Sequence, residues 1–246
     1  MHLVLCSESD RPALWAYHKF RAAGLDSIDL VTTSSLACAK SWEHRLGQDG
    51  AQLKLELEDG RRFCSSEIQG VLNRLISAPG GIVEHAVAED REYAAAESTA
   101  FYLGWLYSLR NVINAPTPQG LCGSWRHASE WAVLAARAGL NAPIFRQTSN
   151  ALLEDGFHSL APAQKNLRHA IVLRGQLYAA AVPREVGLAC LNLAVLAAID
   201  LLGVDLFESE EGALTFAHAT PFPDLTLGGD GLIEGLARAF GTHPAG

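Results

Sequence analysis

Residues able to do covalent or metal chemistry are present in this sequence but poorly grouped. The nine histidines are scattered from His2 to His243, and none forms an HxH, an HExxH or another compact zinc-ligand set. The five cysteines (Cys6, Cys38, Cys64, Cys122 and Cys190) are odd in number and widely spaced, with no CxxC. That is the pattern of free thiols in a reducing compartment. Cys6-Ser7 closes the first strand-like run, where α/β proteins commonly carry their sites. A thiol- or metal-based enzyme working through Cys6 is therefore one reading, and a buried free cysteine is the plainer one. Gly123-Ser124 lacks the second glycine of a GxSxG elbow. There is no GxxxxGK[ST], and no GxGxxG follows a strand; Gly80-Gly81 and Gly228-Gly229 read as turns. Only four lysines are available to meet phosphates: Lys19, Lys40, Lys54 and Lys165.

The chain that must position these residues has 246 of them, enough for one large domain or two small ones. It is 49% hydrophobic and 19% charged, which excludes a disordered, collagen-like or coiled-coil chain. A net charge of -8 argues against nucleic acid, whose binders draw most of their affinity from phosphate neutralisation. Met1 leads straight into a strand-like run with no signal peptide. The most apolar stretch, Val186 to Leu202, contains Asn192 and Asp200 and is shorter than a usual membrane span. A cytoplasmic protein that does not enter membranes is expected.

Local signals then order the elements. His2 to Cys6 reads as a strand. Asp10 and Pro12 open a helix that reaches about Ala23 before Gly24, and Ser27 to Thr32 reads as a second strand, so a parallel sheet is expected. Ala51 to Leu57 alternates with period two ahead of Asp59-Gly60, a hairpin signal. Ser65 or Ser66 is expected to cap a helix carrying Ile68, Val71, Leu72 and Leu75. Glu89 to Leu109 reads as a long helix, apolar nearly all round, buried on most faces or packed on a partner. Val112 to Asn114 is a short strand, and Ser124 is expected to cap a helix that Gly139 stops. Arg146 to Arg168 shows little periodicity, and a domain boundary is placed there. His169 to Leu173 and Leu177 to Val182 flank a hairpin turn at Arg174-Gly175. A buried helix from Pro183 to Leu202 ends at Gly203, two strands flank Glu211-Gly212, and Asp230 opens a final helix.

The order of motifs in the second half resembles the ATP-grasp family of ATP-dependent carboxylate–amine ligases. Asn166-Leu167-Arg168-His169-Ala170-Ile171-Val172 is similar to that family's D-x-R-v-x-V strand. Leu202-Gly203-Val204-Asp205 is similar to its L-G-x-D strand, and Phe216-Ala217-His218-Ala219-Thr220-Pro221-Phe222-Pro223 to its x-E-x-N-p-x-P strand. Upstream, Val112-Ile113-Asn114-Ala115-Pro116, followed by Ala138-Gly139-Leu140-Asn141-Ala142-Pro143, is similar to the passage entering the family's central domain. The resemblance implies an α/β fold: a pre-ATP-grasp-like parallel-sheet domain over 1–145, then a truncated ATP-grasp-like α+β half over 146–246 that lacks the lid.

The departures from the pattern carry the functional expectation. In the family a Glu and an Asn on the late strand hold Mg²⁺, and His218 and Thr220 stand there instead. Mg²⁺ wants hard oxygen ligands, so Asp205, His218 and Thr220 form a degenerate metal set. Of the phosphate-facing pair, Arg168 survives and the Asp is Asn166. Between Thr117 and the hairpin the only lysine is Lys165, and the 23 residues from Arg146 to Arg168 are too few for the family's lid. The expectation is a non-catalytic pseudoenzyme or accessory subunit with a remnant cleft and no cofactor. It would bind another protein (such as an active ligase), a peptide or a small molecule, with homo-oligomerisation left open. The alternative is an active ATP- and Mg²⁺-dependent ligase with an altered metal site, with His218, Asp205 and Arg168 in the site; Arg168 and Asn166 are the remnant cofactor-binding positions.

Overall fold

The computed structural model describes residues 1–48, 50–81, 86–143, 166–179 and 182–241. The chain divides into two compact units, Met1–Trp125 with Gly229–Gly246, and Arg126–Gly228. The boundary expected after residue 145 and the segment expected to be too short for a lid fall largely on residues 144–165. These and Lys165 lie outside the described residues.

The first unit begins with β1 (His2–Cys6), α1 (Arg11–Ala22) and β2 (Ile28–Thr32). Asp10 caps α1 by accepting from the Ala13 N–H at 3.0 Å, with Pro12 in the first turn, and Gly24 supplies the left-handed conformation beyond its end. A short helix, α2 (Thr33–Ala37), precedes a three-stranded antiparallel sheet of β3 (Ser41–Gly47), β4 (Gly50–Glu56) and β5 (Arg62–Cys64), in that order. Then come β6 (Gly70–Asn73), α3 (Arg91–Ser108) and β7 (Val112–Ile113). The parallel sheet runs β2-β1-β6-β7. Leu3 and Leu5 of β1 join one core with Leu53 and Leu55 of β4 and Trp105 of α3.

Two expectations in this unit are corrected. The segment expected to be a helix capped by Ser65 or Ser66 contains β6, a central strand paired to both β1 and β7. Val71 and Leu72 are both fully buried because a central parallel strand is covered on two faces. An apolar run of that kind has the same spacing as a buried helix. β3 carries no local strand signal and forms by pairing along the whole of β4.

The second unit starts with α4 (Ala128–Ala138), continues through β8 (Leu167–Leu173), β9 (Gln176–Ala179), α5 (Arg184–Ala197), β10 (Leu201–Glu208) and β11 (Leu214–Thr220), and has a four-stranded antiparallel sheet in the order β11-β10-β8-β9. The cap of α4 is His127 and not Ser124: its imidazole accepts from the Ser129 N–H, and Glu130 accepts from the His127 N–H at 2.9 Å, a capping box. α5 stops at Ala197, five residues before the expected Leu202, with Ala198 left-handed at φ 54°. The apolar run continues because Leu201 and Leu202 open β10, an interior strand whose Leu202, Val204 and Leu206 pack with α4 and α5.

The final helix, α6 (Gly229–Ala239), belongs to the first unit. Asn111 donates to the Ala239 carbonyl at 2.7 Å, and Phe240 stacks on His2 with ring centroids 5.2 Å apart. A Cβ on Gly70 would lie 2.7 Å from the Phe240 ring, so this close approach requires glycine. His2 is 1% exposed, and its Nδ1 is buried without a hydrogen-bond partner. Burial, and then the positive N-terminus, lower its pKa from the ordinary histidine value. A depressed folded-state pKa resists a proton that the unfolded chain accepts. Its stability contribution is therefore full above the unfolded value of about 6.5 and is lost as pH falls below it. Urea unfolding should show stability declining between pH 7 and pH 5, and His2→Phe, which fills the same stack without a titrating group, should flatten that decline.

Candidate functional site

The residues carrying the resemblance lie on the sheet of the second unit, and strand pairing decides which of them meet. Along β10, Leu202, Val204 and Leu206 face the helices α4 and α5. By strict alternation Gly203 and Asp205 face the other way. The register places Asp205 opposite His169 of β8 on one side and His218 of β11 on the other. Thr220 sits opposite Gly203, one row along on the same face. Asp205, His218 and Thr220 are therefore brought together on the face turned away from α4 and α5.

Arg168 is not with them. It sits opposite Leu206, on the helix-facing side, and its Nε donates to Glu208 Oε2 at 2.8 Å. The Glu208 carboxylate, through that hydrogen bond and then its charge, raises the Arg168 pKa still further. Asn166 is exposed immediately before β8.

His169 fills the place next to Asp205. Its Nδ1 lies 2.7 Å from Asp205 Oδ1, a half-exposed imidazole–carboxylate pair. Such a pair holds the ring in one orientation and favours the tautomer with the proton on Nδ1. In the sequence His169 is one scattered histidine among nine; the antiparallel register of β8 and β10 puts it across from Asp205. Glu208, the partner that occupies Arg168, was also missed. Only the pairing of the two strands brings it there.

The described residues of this face do not fit Mg²⁺. The one carboxylate is engaged by an imidazole, a second imidazole flanks it, and the Thr220 hydroxyl accepts the Phe222 N–H at 3.1 Å. Mg²⁺ demands an octahedron of hard oxygens, and nitrogen donors beside a single carboxylate supply neither the charge nor the shell. Among the described residues, no group of three or more His, Cys, Asp or Glu is placed to hold a metal ion.

The first unit adds two observations. The Cys6 thiol is buried, and burial, with the Asp10 carboxylate second, pushes it up to about 12. A buried thiol held protonated is a poor nucleophile, which favours the plainer reading of Cys6 as a buried free cysteine. A cleft of about 530 Å³ lies on the polar face of the β3-β4-β5 sheet, lined by Ser41, Glu43, Lys54, Glu56 and Arg62 among others. Its charges are already paired in part, with Lys40 and Arg62 both donating to Glu56. Among the described residues, no helix is long and apolar enough to cross a membrane.

No protein-family model and no curated protein sequence matches the chain. Solved structures do. Macrocyclase MdnB from Microcystis aeruginosa MRC is 14% identical with a TM-score of 0.67, covering 97% of this chain and 97% of that one. Macrocyclase MdnC from the same organism, bound with precursor peptide MdnA, is 10% identical with a TM-score of 0.68, covering 97% of this chain and 100% of that one. A Chryseobacterium gregarium RiPP-associated ATP-grasp ligase, in complex with ADP and a leader and core peptide, is 13% identical with a TM-score of 0.66, covering 97% and 94%. The fold is ATP-grasp-like, a mixed α/β architecture with parallel and antiparallel sheets.

Proposed function

We propose that this chain is a non-catalytic ATP-grasp-like protein that binds a peptide, acting as an accessory subunit to peptide modification and not as the ligase itself. The observation that carries the reading is the face of β8-β10-β11 turned away from α4 and α5. Where the ATP-grasp pattern has a metal-binding Glu and Asn, this face has His218 and Thr220, and its Asp205 is paired with His169. Phosphoryl transfer rests on positioning and charge neutralisation, so a face without a Mg²⁺ set has lost the larger part of both. The engagement of Arg168 by Glu208 on the opposite side supports the same reading, as does the scarcity of lysine. The expectation that residues 146–168 are too few for the family's lid belongs to this proposal. Two similar structures hold precursor or leader and core peptides, which favours a peptide over a small molecule.

The test is calorimetric titration of the purified protein with ATP, with and without Mg²⁺. The expected result is no binding up to millimolar nucleotide in either condition. Tight, Mg²⁺-dependent binding would overturn the reading and support the second one, an ATP-dependent carboxylate–amine ligase with an altered metal site. The specific observation favouring that alternative is that Asp205 is retained among the matched positions. In that case His218→Glu combined with Thr220→Asn should increase the ATP affinity and its Mg²⁺ dependence.

A further inference from the structure

The β3-β4-β5 sheet ends on a bare strand. The Ser65 N–H donates to the Leu53 carbonyl and the Leu57 N–H to the Arg61 carbonyl, both at 2.9 Å, so Leu53, Leu55 and Leu57 turn their backbone groups toward β5. Gln52, Lys54 and Glu56 therefore turn theirs toward β3, because the two sides of a strand alternate. The register pairs those three with Arg45, Glu43 and Ser41. The N–H and C=O groups of Trp42, His44 and Leu46 consequently point outward along the edge. Among the described residues none of these groups has a hydrogen-bond partner. The other sheet edges are covered or short. On β11 the Phe216 N–H donates to the Asn141 carbonyl at 2.7 Å, and on β2 the Leu30 carbonyl accepts from Arg61 Nη1 at 2.8 Å. β5, β7 and β9 are too short to offer a long ladder. β3 runs for 7 residues in unbroken register, without proline or lysine, and its Leu46 is 76% exposed. The usual protections of an edge strand are missing from it.

We infer that β3 pairs antiparallel with β3 of a second copy of the chain, about a two-fold axis through the His44 pair, so that the two sheets become one. The outward groups fix what can bind: Trp42 and the partner's Leu46, the two His44 residues, and Leu46 and the partner's Trp42 each exchange both backbone hydrogen bonds, which leaves no group on either edge unpaired. The side chains select a second copy as the occupant. In this register each Glu43 lies opposite the partner's Arg45 on one face, and each exposed Leu46 lies opposite the partner's Trp42 on the other. An isologous contact requires that palindrome, because each residue must suit its symmetry mate. The neighbouring registers are rejected by charge. Sliding one strand by two residues, the smallest slip that keeps the outward groups facing, sets Glu43 against Glu43 or Arg45 against Arg45. Within one copy Arg45 already lies 2.6 Å from Glu43, with both side chains exposed, so pairing assembles four charges of alternating sign about the axis. The strand is roughly 24 Å long, a smaller contact than a standard stable interface, and the dimer dissociates in the micromolar range or above. The inference is independent of nucleotide or peptide binding.

Sedimentation velocity of the full chain from micromolar to millimolar concentration, with amide hydrogen exchange read residue by residue by NMR, tests it. A monomer–dimer equilibrium is expected. As concentration rises, the amides of Trp42, His44 and Leu46 should gain protection, whereas those of Glu43 and Arg45, already bonded to β4, should not change. Leu46→Pro removes an outward donor without breaking a β3–β4 bond and should raise the dissociation constant more than tenfold with an unchanged circular dichroism spectrum. Should that variant fold poorly, the charges give a second test. Glu43→Arg alone and Arg45→Glu alone should each raise the dissociation constant about fivefold, since each removes two symmetry-related exposed ion pairs. The double variant carrying both changes should return to the wild-type value, because it restores the pairs with the signs exchanged. A chain that stays monomeric to millimolar concentration overturns the inference, whether its edge stays bare or takes up a peptide. So does a dimer in which the three outward amides gain no protection, and so does failure of the charge exchange to restore association.

Discussion

Asp10→Ala should lower the unfolding free energy by about 4 kcal/mol, the range found when one partner of a buried ion pair is removed. Asp10 does two things at once. Its Oδ2 accepts from Arg74 Nε at 2.7 Å and its Oδ1 from Arg74 Nη2 at 3.1 Å, a two-pronged pairing. The same carboxylate caps α1 through the Ala13 N–H. The Arg74 side chain is 4% exposed and that of Asp10 13%, so solvent screens little of this interaction. Truncation removes one partner of this buried pair, and the cap contributes about 1 kcal/mol of the loss. Asp10→Asn keeps the cap and removes the charge, so it should fall between the two. Changing both partners to apolar residues of similar volume should cost less than Asp10→Ala, because it removes the buried charge together with its partner. Urea unfolding of the three variants checks this; a loss under about 1 kcal/mol for Asp10→Ala would mean that the site is hydrated.

The second large effect is at Trp105, which is wholly buried in α3. Its ring meets Trp42 nearly edge-on with centroids 6.1 Å apart and Tyr102 at 6.2 Å. Trp105→Ala should cost about 4 kcal/mol through lost transfer energy and the cavity left between α3 and the β3-β4-β5 sheet. Trp105→Phe should cost much less than its lost volume suggests. The indole Nε1 is buried with no hydrogen-bond partner, so Phe removes an unsatisfied donor together with the atoms that made favourable contacts. Equal losses for the two variants would show that the indole N–H is satisfied in solution. The comparison needs only unfolding curves, since Trp42 and the other tryptophans retain a fluorescence signal.

Much of the first unit is legible in local signals. Asp10 and Pro12 announce α1, and the Arg174-Gly175 turn, both residues at positive φ, announces the β8–β9 hairpin in the second unit. Each of these is a matter of a few neighbouring residues and their backbone preferences. The misread elements depend on distant partners. The run from Ile68 to Leu75 contains a strand because β1 and β7 lie on either side of it. β3 is a strand because β4 pairs with it.

The candidate site divides in the same way. Residue identity alone sets which chemical groups are available: a carboxylate at Asp205, imidazoles at His169 and His218, a hydroxyl at Thr220, and a departure from the Mg²⁺-binding pattern at positions 218 and 220. Only the tertiary structure decided which of them meet. Strand alternation sends Arg168 and Asp205 to opposite faces once β8 and β10 are in register, hands Arg168 to Glu208, and gives Asp205 to His169. The irregularity between Asp205 and Leu206, opposite β11, sets which residue of that strand flanks the carboxylate. Register is chosen by which side chains the helices α4 and α5 can bury, and a slip of one residue would exchange the two faces. That choice belongs to packing between segments far apart in the chain.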